Sequence, residues 1–164
     1  MSLAIRPAPV RKSVSVAASP QRAFEVFTAG FDRWWPRSHS IGEAPLKTAV
    51  IEPRVGGRWY GLLENGAEQP WGDVLAWAPP ARLVLAWRIG ADWTYDANLT
   101  TEVEVTFVPE GAATRVTLEH RLLENMGAAG EGARANFDSE GGWGMLLGLF
   151  AELANSEANQ EDPS

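Results

Sequence analysis

The chain has 164 residues with a formal charge of −7, and 45% are hydrophobic against 21% charged, the balance of one globular domain with its own core. The acidic charge argues against nucleic acid or an anionic membrane as partner, since both call for clustered Lys and Arg. The absence of cysteine excludes disulfides, thiolate metal ligands and cysteine nucleophiles. No apolar leader opens the sequence and no run of about 18 apolar residues occurs, so a cytoplasmic location is the expectation.

Residues 8–17 alternate, with Val10, Val14 and Val16 in phase and Lys12 interrupting, which predicts a strand. Ser19-Pro20 offers an N-cap followed by proline at the first helical position. Ala23, Phe24, Val26 and Phe27 give the helix an apolar face, and it should end near Gly30. Residues 31–35 predict a second short helix, stopped by Pro36. Residues 37–46 have no period and read as a loop; His39 in it reads as solvated.

Short strands are then predicted over 47–52, 58–64, 71–77, 82–89, 99–108 and 114–121. Turns at Gly56-Gly57, Asn65-Gly66, Pro79-Pro80 and Glu110-Gly111 separate most of them. This spacing is that of an antiparallel meander. Residues 124–136 read as weakly helical. Trp143, Leu146, Leu147, Phe150 and Leu153 form one helical stripe, with Asp138 as the expected N-cap. Residues 155–164 are polar and acidic and read as a frayed, flexible tail. A sheet with one apolar face needs a cover, and the last helix is the only amphipathic one long enough to provide it. The fold class is therefore α+β: a helix-grip, with a curved antiparallel sheet around a long C-terminal helix and two short helices after the first strand.

Eight tryptophans in so short a chain is a high number, and five of them fall between 59 and 93. Trp favours pockets and interfaces over dry cores because its N–H needs a partner. Alternation directs Trp59, Gly61 and Leu63 inward, then Leu85 and Trp87, then Val103 and Val105, then Leu118 and His120. It sets Trp71 and Trp93 outside. Val74 and Trp77 cannot both face inward without a β-bulge. Trp143 and Leu147 come from the covering helix, and Trp34 and Trp35 pack at the mouth or under the short helices.

Two readings of this face stand: an ordinary filled core, or an aromatic-walled cavity for an apolar ligand. The interior glycines Gly144 and Gly148 of the last helix each cost about 1 kcal/mol against Ala. Close approach of helix to sheet and room for a ligand are both open explanations. His120, the inward-phased ionisable group, suits a ligand anchor or general base, or a core histidine bonded to a backbone or indole partner. No metal-ligand spacing, nucleophile elbow or phosphate loop occurs, so no metal or cofactor is expected. Glu102, Glu104, Arg115, Glu119 and Arg121 alternate outward as a solvated charged face.

On Trp34-Trp35-Pro36, the run from Glu52 through Gly56-Gly57 to Trp59, and Gly72-Asp73-Val74, the chain resembles the START-like (SRPBCC) superfamily of the birch-pollen-allergen fold. The segment from Pro79-Pro80 to Trp87, the residues 116–120 and Gly142-Trp143 extend the likeness, which narrows to the activator of heat-shock-protein-90 ATPase homologue-like family. The resemblance covers about residues 10–154 and implies a single helix-grip domain over 8–154, with a cavity between sheet and helix. It implies no single activity. The preferred expectation is a binding protein for an apolar or aromatic small molecule. The alternatives are a cyclase- or hydrolase-type enzyme using His120, and a protein-interaction module such as a homodimer or chaperone regulator.

Overall fold

The computed structural model describes residues 8–36, 44–90, 92–139 and 142–161. Strand β1 (Val10–Val16) leads into helix α1 (Pro20–Thr28). The Ser19 side chain caps α1 by accepting from the Arg22 N–H, with Pro20 at the first helical position, as the sequence predicts. Helix α2 (Phe31–Trp34) follows at once, with Phe31 and Trp34 buried. Strands β2 (Leu46–Ile51), β3 (Arg58–Leu63), β4 (Glu68–Ala78), β5 (Arg82–Trp87), β6 (Thr101–Glu110) and β7 (Ala113–Arg121) come next. A 3₁₀ segment (Leu123–Ala129), helix α3 (Gly130–Asp138) and helix α4 (Trp143–Glu161) complete the described chain.

The seven strands form one antiparallel sheet in the order β1-β7-β6-β5-β4-β3-β2. All neighbours but one follow in sequence; β1 crosses over to pair with β7, Val10 opposite His120. Helices α1, α2 and α4 cover the concave face, and the helix-grip reading holds. Strand β2 is an edge, and its Ala49 N–H donates to Asp32 Oδ1 of α2 at 2.8 Å, which ties the helix to the rim.

Two bulges in β4 decide which tryptophans enter the core. Trp59 opposes Gly72 while Tyr60 opposes Pro70, so Trp71 is an extra residue on β4. Val74 opposes Leu85 while Ala76 opposes Val84, so Leu75 is another. The second bulge lets Val74 and Trp77 share the concave side, which strict alternation forbids. The first overturns the outward placement of Trp71: its indole is buried. Trp93 does lie outside, at 48% exposure.

The C-terminal third departs from the predicted caps. Asp138 is the last residue of α3 and forms a 2.7 Å ion pair with Lys12 of β1; it does not cap α4. Helix α4 starts at Trp143, after a corner where a Cβ on Gly142 would fall 2.0 Å from the Phe137 carbonyl oxygen, so the corner admits only glycine. The helix runs on to Glu161, past Asn155, whose Oδ1 accepts from the Ala17 N–H. Its buried stripe is Trp143, Leu146, Leu147, Phe150 and Ala154, with Leu153 half-buried. No described helix is long and apolar enough to cross a membrane. His39 lies outside the described residues.

Candidate functional site

Five tryptophans form a closed ring on the concave face. The ring runs Trp35–Trp71 (5.4 Å between centroids), Trp71–Trp59 (5.8 Å), Trp59–Trp87 (5.4 Å), Trp87–Trp143 (5.7 Å) and Trp143–Trp35 (6.2 Å). Each indole comes from a different part of the fold: the end of α2, then β4, β3, β5 and the first turn of α4. All five are buried. Phe31 bridges the ring from α2, touching Trp35, Trp59 and Trp71. The contacts are edge-to-face or tilted, the geometry that the ring quadrupoles favour.

Local sequence makes room for this arrangement. Gly61 lies on β3 beneath Trp71, where an added Cβ would stand 2.8 Å from Leu46 Cδ1 and 2.9 Å from Trp71 Cζ2. Gly72 lets β4 close on β5, since a Cβ there would meet the Ala86 carbonyl. The two helix glycines do neither job. A Cβ on Gly144 would meet only the Lys12 side chain, at 3.9 Å, and one on Gly148 nothing within 4 Å. Neither sheet contact nor pocket lining accounts for Gly144.

His120 closes one side of the ring. It is fully buried, with Phe137 at 4.5 Å, Trp87 at 5.3 Å and Trp143 at 5.9 Å. The Trp143 Nε1–H donates to His120 Nδ1 at 3.1 Å. An indole nitrogen only donates, so Nδ1 is the bare acceptor and Nε2 carries the proton. Nε2–H then donates to Thr101 Oγ1 at 2.8 Å, and the Thr101 hydroxyl donates to the Trp87 carbonyl at 3.0 Å. Every polar atom of the relay is used. Burial pushes the His120 pKa down to about 3, so the ring is neutral at physiological pH. A general base works best with a pKa near 7 and a free lone pair, and His120 has neither. Of the readings open for this residue, the core histidine bonded to an indole is the one observed.

Trp143 is not the only core indole with a satisfied donor. Trp34 Nε1–H reaches the Val26 and Phe27 carbonyls, and Trp87 Nε1–H reaches the Ile89 carbonyl at 2.9 Å. Trp59 Nε1 is the exception: among the described residues it is the one buried side-chain nitrogen or oxygen without a hydrogen-bond partner. A buried donor left unpaired costs about 1–3 kcal/mol.

The twelve residues that the sequence picks out all lie on the interior side. Trp59, Trp87, His120 and Trp143 meet in the ring and its flank. Leu85, Val103, Val105 and Leu118 pair across β5, β6 and β7 as the floor beside it. Gly61, Leu63, Val74 and Leu147 are buried around it. Sequence reasoning left out Trp71 and Phe137, and did not bring Phe31 into contact with Trp59 or Trp35 into contact with Trp143. Thr101 was in phase with Val103 and so legible as inward.

The outer face carries the opposite chemistry. Arg121 binds Glu102, Glu104 and Glu119 at once, relieving the direct opposition of Glu104 and Glu119 across β6 and β7. A hollow of about 270 Å³ there is lined by Arg11, Glu104, Thr106, Thr117 and Glu119. Among the described residues no group of three His, Asp or Glu is placed to hold a metal ion.

Residues 17–155 match the family model described as activator of Hsp90 ATPase homolog 1-like protein. The chain belongs to this family. With it the chain falls in the START-like superfamily, as the curved sheet and long last helix require. Among solved structures, the chain is 39% identical to an anthrahydroquino-γ-pyrone synthase, Txn09, complexed with SUM, over 90% of this chain and 97% of the other, with a TM-score of 0.63. It is 33% identical to the self-sacrificing resistance protein CalC of Micromonospora echinospora, over 91% and 95%, with a TM-score of 0.69. Protein NE0264 of Nitrosomonas europaea shares the fold at 17% identity, over 91% and 95%, with a TM-score of 0.63. No curated protein sequence matches the chain significantly. Within the family fold, the five-tryptophan ring occupies the junction of sheet, α2 and α4.

Proposed function

We propose that this domain binds a planar aromatic small molecule against the tryptophan ring, between the concave face of the sheet and α4. The closed ring of five buried indoles is the observation that carries the reading. It concentrates polarisable, flat surface that suits a fused aromatic ligand better than a flexible aliphatic one. Trp35 and Trp143 belong to the helical cover and take no part in the strand ladder. Parting the ring at Trp35 and Trp143 would break no strand pair and would cost the Trp143–His120 hydrogen bond. Family membership supports a ligand-binding domain, and a relative at 39% identity is by its name an anthrahydroquino-γ-pyrone synthase.

That same relative favours a second reading, in which the bound molecule is also cyclised. In that reading the site holds the substrate folded and excludes water, and His120 acts by positioning Trp143 rather than by taking a proton.

Nuclear magnetic resonance of the labelled protein tests the binding reading. On titration with anthraquinone, the indole signals of Trp59, Trp87 and Trp143 shift together with one saturating curve. If a saturating probe leaves all three indole signals in place, the site is a filled core and the reading fails.

A further inference from the structure

We propose that the Trp59 indole N–H is the polar recognition element of this site, and that its ligand presents a neutral oxygen acceptor, a ring carbonyl, to it. The proposal rests on the binding reading above and adds the chemistry that reading leaves open.

Trp59 is 1% exposed, and its Nε1 has no hydrogen-bond partner. Two other indoles of the ring have acceptors: Trp87 reaches a carbonyl two residues on, and Trp143 reaches His120. Trp59 instead faces rings, with Trp87 at 5.4 Å, Trp71 at 5.8 Å and Phe31 at 6.2 Å. A buried indole N–H without an acceptor is uncommon in native cores, and each case calls for an explanation. A ligand acceptor would supply one, since the donor is already stripped of water and gains a full bond on binding.

The sign of the group selects among aromatic-site ligands. Aromatic rings alone would also suit a cage for an organic cation. A bare N–H presents its positive end, which repels a cation and attracts an oxygen lone pair. The flanking His120 is neutral, with both nitrogens engaged, so it adds no charge for an ionised ligand to pair with. The chemistry that fits is therefore an uncharged aromatic carbonyl compound.

Fluorenone and fluorene differ by one oxygen and isolate the term. In the wild-type protein, titration calorimetry should give fluorenone a Kd about tenfold below that of fluorene, the worth of one hydrogen bond to a buried donor. Trp59→Phe keeps an aromatic wall and deletes the donor, so the two Kd values should converge. In parallel, the Trp59 indole proton of the wild-type protein should move downfield with fluorenone and not with fluorene. That measurement stands even where the variant fails to fold. Equal affinities in the wild-type protein, or a difference that survives Trp59→Phe, would overturn the donor role while leaving aromatic binding in place. Binding of neither compound would overturn the binding reading, and this proposal with it.

Discussion

The Trp143 Nε1–H and the His120 Nδ1, 3.1 Å apart, fix one another. The indole can only donate, so the imidazole is held as the tautomer with its proton on Nε2, which Thr101 then accepts. A residue from the first turn of α4 is thereby locked to the last sheet strand, and the indole that closes the tryptophan ring is oriented by a hydrogen bond as well as by packing. This is a structural role for the histidine, and it makes the buried ring one source of acid sensitivity in the domain.

His120 has a folded-state pKa of about 3 and an unfolded value near 6.5. Below 6.5 the unfolded chain takes up a proton that the folded chain refuses, so stability is full above 6.5 and falls as pH drops toward 3. Each unit in that window costs about 1.4 kcal/mol, or about 2 kcal/mol at pH 5. His120→Gln keeps an acceptor for Trp143 and a donor for Thr101 without titrating. Urea denaturation at a series of pH values should show a steep acid limb in the wild-type protein and a shallow one in the variant. Parallel limbs would mean that His120 is not the group responsible.

Thr101 is the hinge of the relay, accepting from His120 and donating to the Trp87 carbonyl. Thr101→Val has nearly the same shape and removes both bonds, which leaves the His120 Nε2–H unpaired in a dry site. The expected loss is about 3 kcal/mol. Thr101→Ser should recover most of it. Chemical denaturation decides the point: a valine variant as stable as the wild type would show that the hydroxyl contributes nothing.

The fold was legible because its signals are local and periodic. Alternation over Val103, Val105 and Phe107, tight turns at Gly66 and Gly111, and the stripe from Trp143 to Phe150 each act over a few residues, and together they leave one architecture. The site was only half legible. Trp59, Trp87 and His120 followed from phase. Trp71 did not, because its inward turn depends on a bulge that exists only when β3 and β4 are paired. Phe137 sits in a segment with weak helical periodicity, and its stacking on His120 is a contact between distant parts of the chain. Glycines misled in the same way: sequence shows where they fall in a helix, and only packing separates Gly142, which the corner demands, from Gly144 and Gly148, which it does not.

That distinction predicts an easy gain. Gly148 has no atom within 4 Å of an added Cβ and lies inside α4. Gly148→Ala should stabilise the protein by up to about 1 kcal/mol, through helix propensity alone. In a domain of this size that raises Tm by about 2–4 °C. A fall in Tm on thermal denaturation would show that the glycine answers a need for bending or space that static packing does not reveal.

Gly61 offers the converse experiment, because its missing side chain is what seats Trp71. An added Cβ would lie 2.8 Å from Leu46 Cδ1 and 2.9 Å from Trp71 Cζ2. The leucine methyl is the end of a flexible chain and can swing aside. The indole is rigid and wedged between Trp35 and Trp59, so it must move as a body. Gly61→Ala should therefore destabilise the domain by about 1–3 kcal/mol, the usual cost of overpacking, and pull the ring apart at Trp71. Aromatic-probe affinity should fall along with stability, and the Trp59 and Trp71 indole signals should shift while that of Trp34 stays in place. A variant that loses stability but binds the probe as tightly as the wild type would place the ligand away from Trp71 and confine the binding surface to Trp59, Trp87 and Trp143.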